Sequence, residues 1–281
     1  MMTQSISDAR SQADSAADAT KPLKGKTAIV TGSTSGIGLG IARALAEQGA
    51  SVMLNGFGDA SSVEQTRSEI ERSTGAKVRY HGADVSKPEE VRTLIQSTID
   101  ELGSADIIVN NAGIQYVAPI EEFPDDKWDA VIAINLSSAF HAIKTALPHM
   151  RKRGWGRIIN IASTHGLVAS VDKVAYVTAK HGLVGMTKVV ALECAESNIT
   201  CNAVCPGFVR TPLVEAQIAA MAQRKGVSLE QATELLLAEK QPTKRFTEVD
   251  QLAALVVFLC SEAASNITGS TQTMDGGWTA R

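Results

Sequence analysis

Tyr176 and Lys180 stand four positions apart in a stretch, residues 173–197, whose pattern reads as a helix, so their side chains share one face. A free phenol ionises near ~10 and is almost wholly protonated at neutral pH. A cation within a few ångströms stabilises the phenolate and turns the oxygen into a usable base. Lowering that pKa to about 7 corresponds to about 4 kcal/mol, within reach of two neighbouring positive charges in a partly dry site. Tyrosine and lysine at this spacing are also common on solvated helices, so the pair gains meaning from its company. Ser163 is the first companion. It leaves the end of the apolar run Arg157–Ala162, where its hydroxyl can orient a substrate oxygen.

The second companion lies far upstream, in Thr31-Gly32-Ser33-Thr34-Ser35-Gly36-Ile37-Gly38, between an apolar run and an apolar helical pattern. Glycines let the backbone turn tightly and approach a pyrophosphate, while a helix N-terminus supplies N–H groups and a positive dipole end. In that context the loop reads as a dinucleotide cradle. A phenol base beside a dinucleotide implies hydride chemistry on an alcohol. Tyr176 takes the hydroxyl proton, a nicotinamide accepts the hydride, and the proton drains through ribose, Lys180 and water; the reverse reduces a ketone.

These residues need elements to hold them. Thr27–Thr31, Ser51–Asn55, Lys77–Tyr80, Asp106–Asn110, Arg157–Ala162, Thr200–Cys205 and Thr271–Met274 read as strands, mostly continuous apolar runs buried on both faces. Helices are expected near 37–48, 60–73, 87–102, 125–152, 173–197 and 250–261. Ser86-Lys-Pro-Glu89 reads as a capping box, and Gly49 as a left-handed C-cap. The alternation predicts an α/β fold: one Rossmann-type domain, 23–281, with a doubly wound parallel sheet of about seven strands. Residues 212–245 carry two helical patterns and no strand, and read as a lid over the strand ends.

The chain's 281 residues, 44% hydrophobic and 20% charged, suit one large globular domain. A net charge of −3 without a basic block argues against nucleic-acid binding. The longest clean apolar run, Leu252–Cys260, is far short of the roughly 20 residues a membrane span needs. Cys194, Cys201, Cys205 and Cys260 form no metal-ligand pattern and read as buried reduced thiols, and no metal site is expected. Residues 1–22 lack an apolar core and read as a disordered tail on a cytoplasmic protein.

The glycine loop, Asn110-Asn111-Ala112-Gly113, Ser163, Tyr176-Val-Thr-Ala-Lys180 and Pro206-Gly207, in this order over 23–281, resemble the short-chain dehydrogenase/reductase family. The resemblance implies cofactor contacts from Gly32, Thr34, Ser35, Gly36, Ile37, Gly38, Phe57, Asp84, Val85, Asn111, Ala112 and Gly113. It adds Tyr176, Lys180, Pro206, Gly207, Val209 and Thr211, with Asp84 at the adenine and Thr211 at the nicotinamide amide. It also gives Asn135 the task of holding a water beside the lysine. The adenosine 2′ position falls at Asn55–Gly58 and Ser35, where no arginine or lysine stands to pair a 2′-phosphate; the next cation is Arg67. NAD is therefore expected over NADP.

Gln115, His165, Lys173 and Gln217 place two amides, an imidazole and an ammonium around one mouth, which suits a small carboxylate. With Leu54–Gly58, Thr211–Gln217 and Asp275-Gly-Gly-Trp278, they resemble family members that act on a short 3-hydroxy acid. That resemblance implies conversion of (R)-3-hydroxybutyrate to acetoacetate with NAD in a homotetramer, with Trp278 supplied by a neighbouring subunit. Phe208 stands where many such enzymes carry tryptophan, which leaves the accepted chain length open. A 3-oxoacyl-carrier-protein reductase or another secondary-alcohol dehydrogenase is the alternative, and a silent dinucleotide sensor a remote one.

Overall fold

A computed structural model describes residues 21–280. Seven strands form one parallel sheet in the order β3-β2-β1-β4-β5-β6-β7. They are β1 (Thr27–Val30), β2 (Ser51–Asn55), β3 (Val78–His81), β4 (Ile107–Asn110), β5 (Gly156–Ile161), β6 (Ile199–Pro206) and β7 (Thr271–Met274). The expected strands all form, with ends displaced by a residue. The continuous apolar runs have a direct cause. In β1, Ala28 and Val30 enter one core and Ile29 the other; Val52 and Leu54 oppose Met53 in β2, and Ile107 and Val109 oppose Ile108 in β4. Period-two alternation feeds two apolar faces at once.

Nine α-helices lie among the described residues: α1 (Gly36–Glu47), α2 (Ala60–Thr74), α3 (Pro88–Leu102), α4 (Asp125–Ile132), α5 (Ser138–Arg153), α6 (Val174–Glu193), α7 (Pro212–Lys225), α8 (Leu229–Lys240) and α9 (Val249–Cys260). α1 and α9 cover one face through Ile41, Leu45, Leu252 and Val256. α3, α5 and α6 cover the other through Leu94, Ile95, Ile143, Met150 and Val190. α7 and α8 close on each other over a small separate core that includes Ile218, Leu236 and Leu237. Strand order reverses between β1 and β4, so a crevice opens outside their carboxyl ends.

Three expectations change. The helix expected over 125–152 is α4 and α5 joined through a π-helical turn, Ala133–Ser137. That run, Asp125–Arg153, is long and apolar enough by composition to cross a membrane, yet Val131, Ala139, Ala142, Ala146 and Met150 are buried within the fold. The Ser86–Glu89 capping box does not form. Ser86 donates its N–H and hydroxyl to the Asp84 carboxylate at 3.0 and 2.7 Å, and Glu90 accepts the Asp84 N–H instead at 2.7 Å. The Asx turn at Asp84 outcompetes the helix cap for the serine. Of the expected tail, residues 1–20 lie outside the described residues; Lys21 already belongs to the body, donating from Nζ to the Thr74 carbonyl at 3.0 Å.

Two glycines of α1 set how close its neighbours come. A Cβ on Gly40 would stand 2.1 Å from Val249 Cγ1 of α9, and one on Gly38 would stand 2.3 Å from the Gly32 carbonyl oxygen. Gly40→Ala is expected to cost about 1–3 kcal/mol by overpacking, part of it recovered when Val249→Ala is added. Gly38→Ala meets rigid backbone, so Val249→Ala should not rescue it. Urea unfolding of the single and double variants measures both.

Candidate active site

The crevice is a cleft of about 420 Å³. Its dinucleotide end is built by exchange between the ends of β1 and β4. Thr31 Oγ1 accepts the N–H groups of Asn111 and Ala112 at 3.0 and 3.1 Å, and Asn111 Nδ2 donates to the carbonyls of Thr31 and Gly32 at 2.9 and 3.0 Å. Gly32 has φ +62°, and a Cβ there would stand 3.0 Å from Ala112 Cα. Ser35 caps α1 without a side-chain bond, so the first-turn N–H groups have no side-chain cap. Such a cradle fits a pyrophosphate, and the residues present therefore fit a dinucleotide.

Every singled-out residue lines this cleft except Gly38 and Asn135. Gly38 serves the close approach described above. Asn135 is buried in the π-helical turn, where Oδ1 accepts the Ile114 N–H and Nδ2 donates to the Ile114 carbonyl, both at 2.9 Å. Its side chain thus holds the segment after Asn110–Gly113 in place.

Tyr176, Ser163 and Lys180 converge at the ends of β5 and α6. Lys180 Nζ donates to the Ile161 carbonyl at 2.7 Å and lies 5.6 Å from the Tyr176 ring centroid. Burial pushes its pKa down to about 8. Burial also holds the Tyr176 phenol above its ordinary range, while a hydrogen bond from Ser163 pulls the other way. The lysine by itself therefore does not produce the lowered phenol expected from the four-residue spacing. Its ammonium is turned onto a backbone carbonyl, and desolvation of the phenolate wins.

At the other end, His165 follows Ser163 in a short turn, where the Ser163 hydroxyl accepts the His165 N–H at 3.2 Å. Its Nε2 bonds the Ser170 hydroxyl at 2.9 Å. Burial first, then the charges of Lys173 and Lys240, push its pKa down to about 4, so the ring is neutral at pH 7. Lys173 is the N-cap of α6, and its ammonium is also held below the ordinary lysine range, first by burial and then by Lys240. Gln115 and Gln217 reach the same mouth from the β4 end and from α7. Trp278 does not wait for a neighbouring subunit. It packs in its own chain's cleft, 5.3 Å from the His165 ring and 5.2 Å from Phe208. The terminal turn brings it there: the Asp275 carboxylate accepts the N–H groups of Gly277 and Thr279 at 3.0 and 2.8 Å.

Sequence reasoning missed Gln241, and placed Asn55 at the adenosine end without its anchoring role. Asn55 is fully buried and donates to the carbonyls of His81 and Ala83, tying β2 to the loop that carries Asp84. Gln241, also fully buried, accepts the Phe208 N–H and donates to the Arg245 carbonyl at 2.6 Å. A polar residue after a helical pattern carries no local signal of burial, since its partners lie far along the chain.

A family model described as enoyl-(acyl carrier protein) reductase matches residues 32–279. A D-beta-hydroxybutyrate dehydrogenase of Cupriavidus necator is 58% identical over 260 residues, covering 92% of this chain and 100% of the relative. Another of that name from Rhizobium meliloti is 53% identical over 256 residues, covering 91% and 99%. Among solved structures, L-sorbose reductase from Gluconobacter frateurii, complexed with NADPH and L-sorbose, superposes with a TM-score of 0.88. It shares 32% identity over 93% of this chain and 99% of that one.

The buried Lys180 yields a prediction whose sign is set. Its folded pKa of about 8 lies below the unfolded value near ~10.4, so the folded protein binds fewer protons between them and its stability rises with pH through that window. Below about 8 the cost of the buried charge is fully present. Lys180→Met is expected to abolish turnover yet melt at least as high as wild type at pH 7. Its advantage should shrink between pH 8 and 10, as measured by calorimetric melting of both proteins.

Proposed function

The chain belongs to the short-chain dehydrogenase/reductase family, and on that premise we propose that it interconverts (R)-3-hydroxybutyrate and acetoacetate with NAD. The observation that carries the substrate is the mouth opposite Tyr176: one ammonium, one neutral imidazole and two amide side chains with no carboxylate among them. Lys173 provides the charge for the substrate's carboxylate, with Gln115, Gln217 and the imidazole of His165 as hydrogen-bonding partners. Phe208 closes the methyl side, and Trp278 packs beside the imidazole at the carboxylate end. The close identity to two proteins named for this activity supports the same reading.

The proton path belongs to this chain. Ser163 Oγ orients the substrate hydroxyl, and Tyr176 Oη takes its proton. Lys180 Nζ, fixed on the Ile161 carbonyl, keeps a positive charge beside the phenol and binds the ribose. When bound, a nicotinamide would serve as hydride acceptor, and its positive charge before that transfer would help the buried phenol ionise. Asn135 keeps the wall at Ile114 in place, which is a positioning role for the segment beside the cofactor end.

NAD rather than NADP follows from the adenosine end. Asn55, Gly56, Phe57 and Asp84 line it, and no cation does among the described residues. Arg67 is held by Glu64 and Glu71 at 2.7 and 2.6 Å. The helices α7 and α8 act as a lid carrying Gln217. Exposed Phe140, Val189, Leu192 and Phe258 on α5, α6 and α9 support a homotetramer. Four free, buried cysteines support a cytoplasmic location.

NADH formation with separate enantiomers tests the reading. The (R) acid should turn over and the (S) acid should not, with NAD strongly preferred. Tyr176→Phe should lower kcat by about 100- to 10,000-fold while NADH affinity stays close to wild type. Lys173→Ala should raise KM far more than it lowers kcat, by about 1.5–3 kcal/mol for a charge-assisted bond. Cofactor preference should shift toward NADP in Phe57→Arg. Gly56 is the poorer position, since φ there is +145° and a Cβ would stand 2.7 Å from Thr34 Oγ1. Equal efficiency with both cofactors in the unmodified protein would refute the assignment of NAD.

A further inference from the structure

Lys240 ends α8 and does not line the cleft, yet its ammonium sits 5.9 Å over the Trp278 ring, whose other neighbours are His165 and Phe208. Its station is fixed by the next residue, because Gln241 is bonded to the Phe208 N–H on one side and the Arg245 carbonyl on the other. Glu239 lies beside it, with a carboxylate oxygen 3.1 Å from the Lys240 ammonium. Trp278 thus contacts His165 and Phe208 within the cleft while the Lys240 ammonium, paired with Glu239, lies against its ring. The charges are close enough to be felt there: Lys240 opposes protonation of both Lys173 and His165, and Glu239 favours protonation of Lys173.

We propose that Lys240 is a specificity-determining residue, whose ammonium on the helical insertion joins that of Lys173 in reading the substrate's carboxylate across Trp278. This rests on the carboxylate reading above and extends it to a residue outside the contact set. Two ammonium groups near a neutral imidazole raise each other's energy, and a monoanion placed before them relieves that cost. A neutral alcohol does not.

The two possible roles of Lys240, charge reader and packing contact on Trp278, separate on neutral substrate. Steady-state oxidation of (R)-3-hydroxybutyrate and of 2-butanol is compared in wild type, Lys240→Gln, Lys240→Arg and Glu239→Gln. Lys240→Gln should raise KM for the acid by about 3- to 10-fold, keep kcat within about twofold, and leave 2-butanol unchanged. Lys240→Arg should restore the wild-type KM, and Glu239→Gln should lower it. The difference between wild type and Lys240→Gln should fade as salt is raised. Equal losses on both alcohols, or an unchanged KM for the acid, would overturn the proposal. If Lys240→Gln does not fold, the opposite-signed change in Glu239→Gln decides alone. Wild type oxidising 2-butanol as readily as the acid is a different failure, visible before any variant is made; it removes the carboxylate reading and this role with it.

Discussion

The site depends on one exchange of hydrogen bonds between the ends of two adjacent parallel strands. Thr31 at the end of β1 and Asn111 after β4 satisfy each other's backbone and side-chain groups. This occurs where strand order reverses and the following segments must diverge. Polar backbone at such a split would otherwise be buried without partners. By meeting that need internally, the exchange holds the glycine loop against Ala112 and leaves the N-terminus of α1 facing the cleft. The absence of a Cβ at Gly32 and Gly38 permits the approach.

The second constraint is electrostatic. Lys180 and Lys173 are cations held where water is scarce, and His165 remains neutral for the same reason. None of these arrangements favours folding by itself, since burial penalises the charged form of each lysine. The cost is tolerated because it poises the site. A nearby positive charge would bring down a phenol raised by burial, and a nearby negative one would bring up a lysine lowered by it. Stability and chemistry oppose each other at these positions.

One corner of the cleft is assembled from segments far apart in the chain. Phe208 follows β6, Trp278 follows β7, and Gln241 follows α8, yet the three meet at one corner. Gln241 bonds the Phe208 backbone, Trp278 stacks on the Phe208 ring, and Gly207 and Gly276 leave room for the Gln241 amide. The corner therefore links the floor of the mouth to the helical insertion and to the chain's last turn. A change in any of the three segments is felt by the other two.

Much of this was legible in the sequence. Short runs, most of them continuously apolar as strands buried on both faces require, marked the seven strands. The glycine spacing marked the cradle, and the four-residue spacing of Tyr176 and Lys180 put them on one face, because these features depend on residues close along the chain. Other features lay beyond local reading. The Ser86 cap looked sound until Asp84 claimed the serine. Gln241 looked like an ordinary polar residue, and Asn55 like part of the adenosine end alone, until distant backbone groups made them buried partners. Trp278 was assigned to a neighbour because nothing local shows that the Asp275 turn folds the terminus back into its own cleft. Burial, a property of the assembled fold, holds the Tyr176 phenol up against the pull of the Ser163 hydrogen bond. Periodicity and turn chemistry are set by neighbours in sequence, whereas desolvation and long-range hydrogen bonds exist only once segments distant along the chain have met.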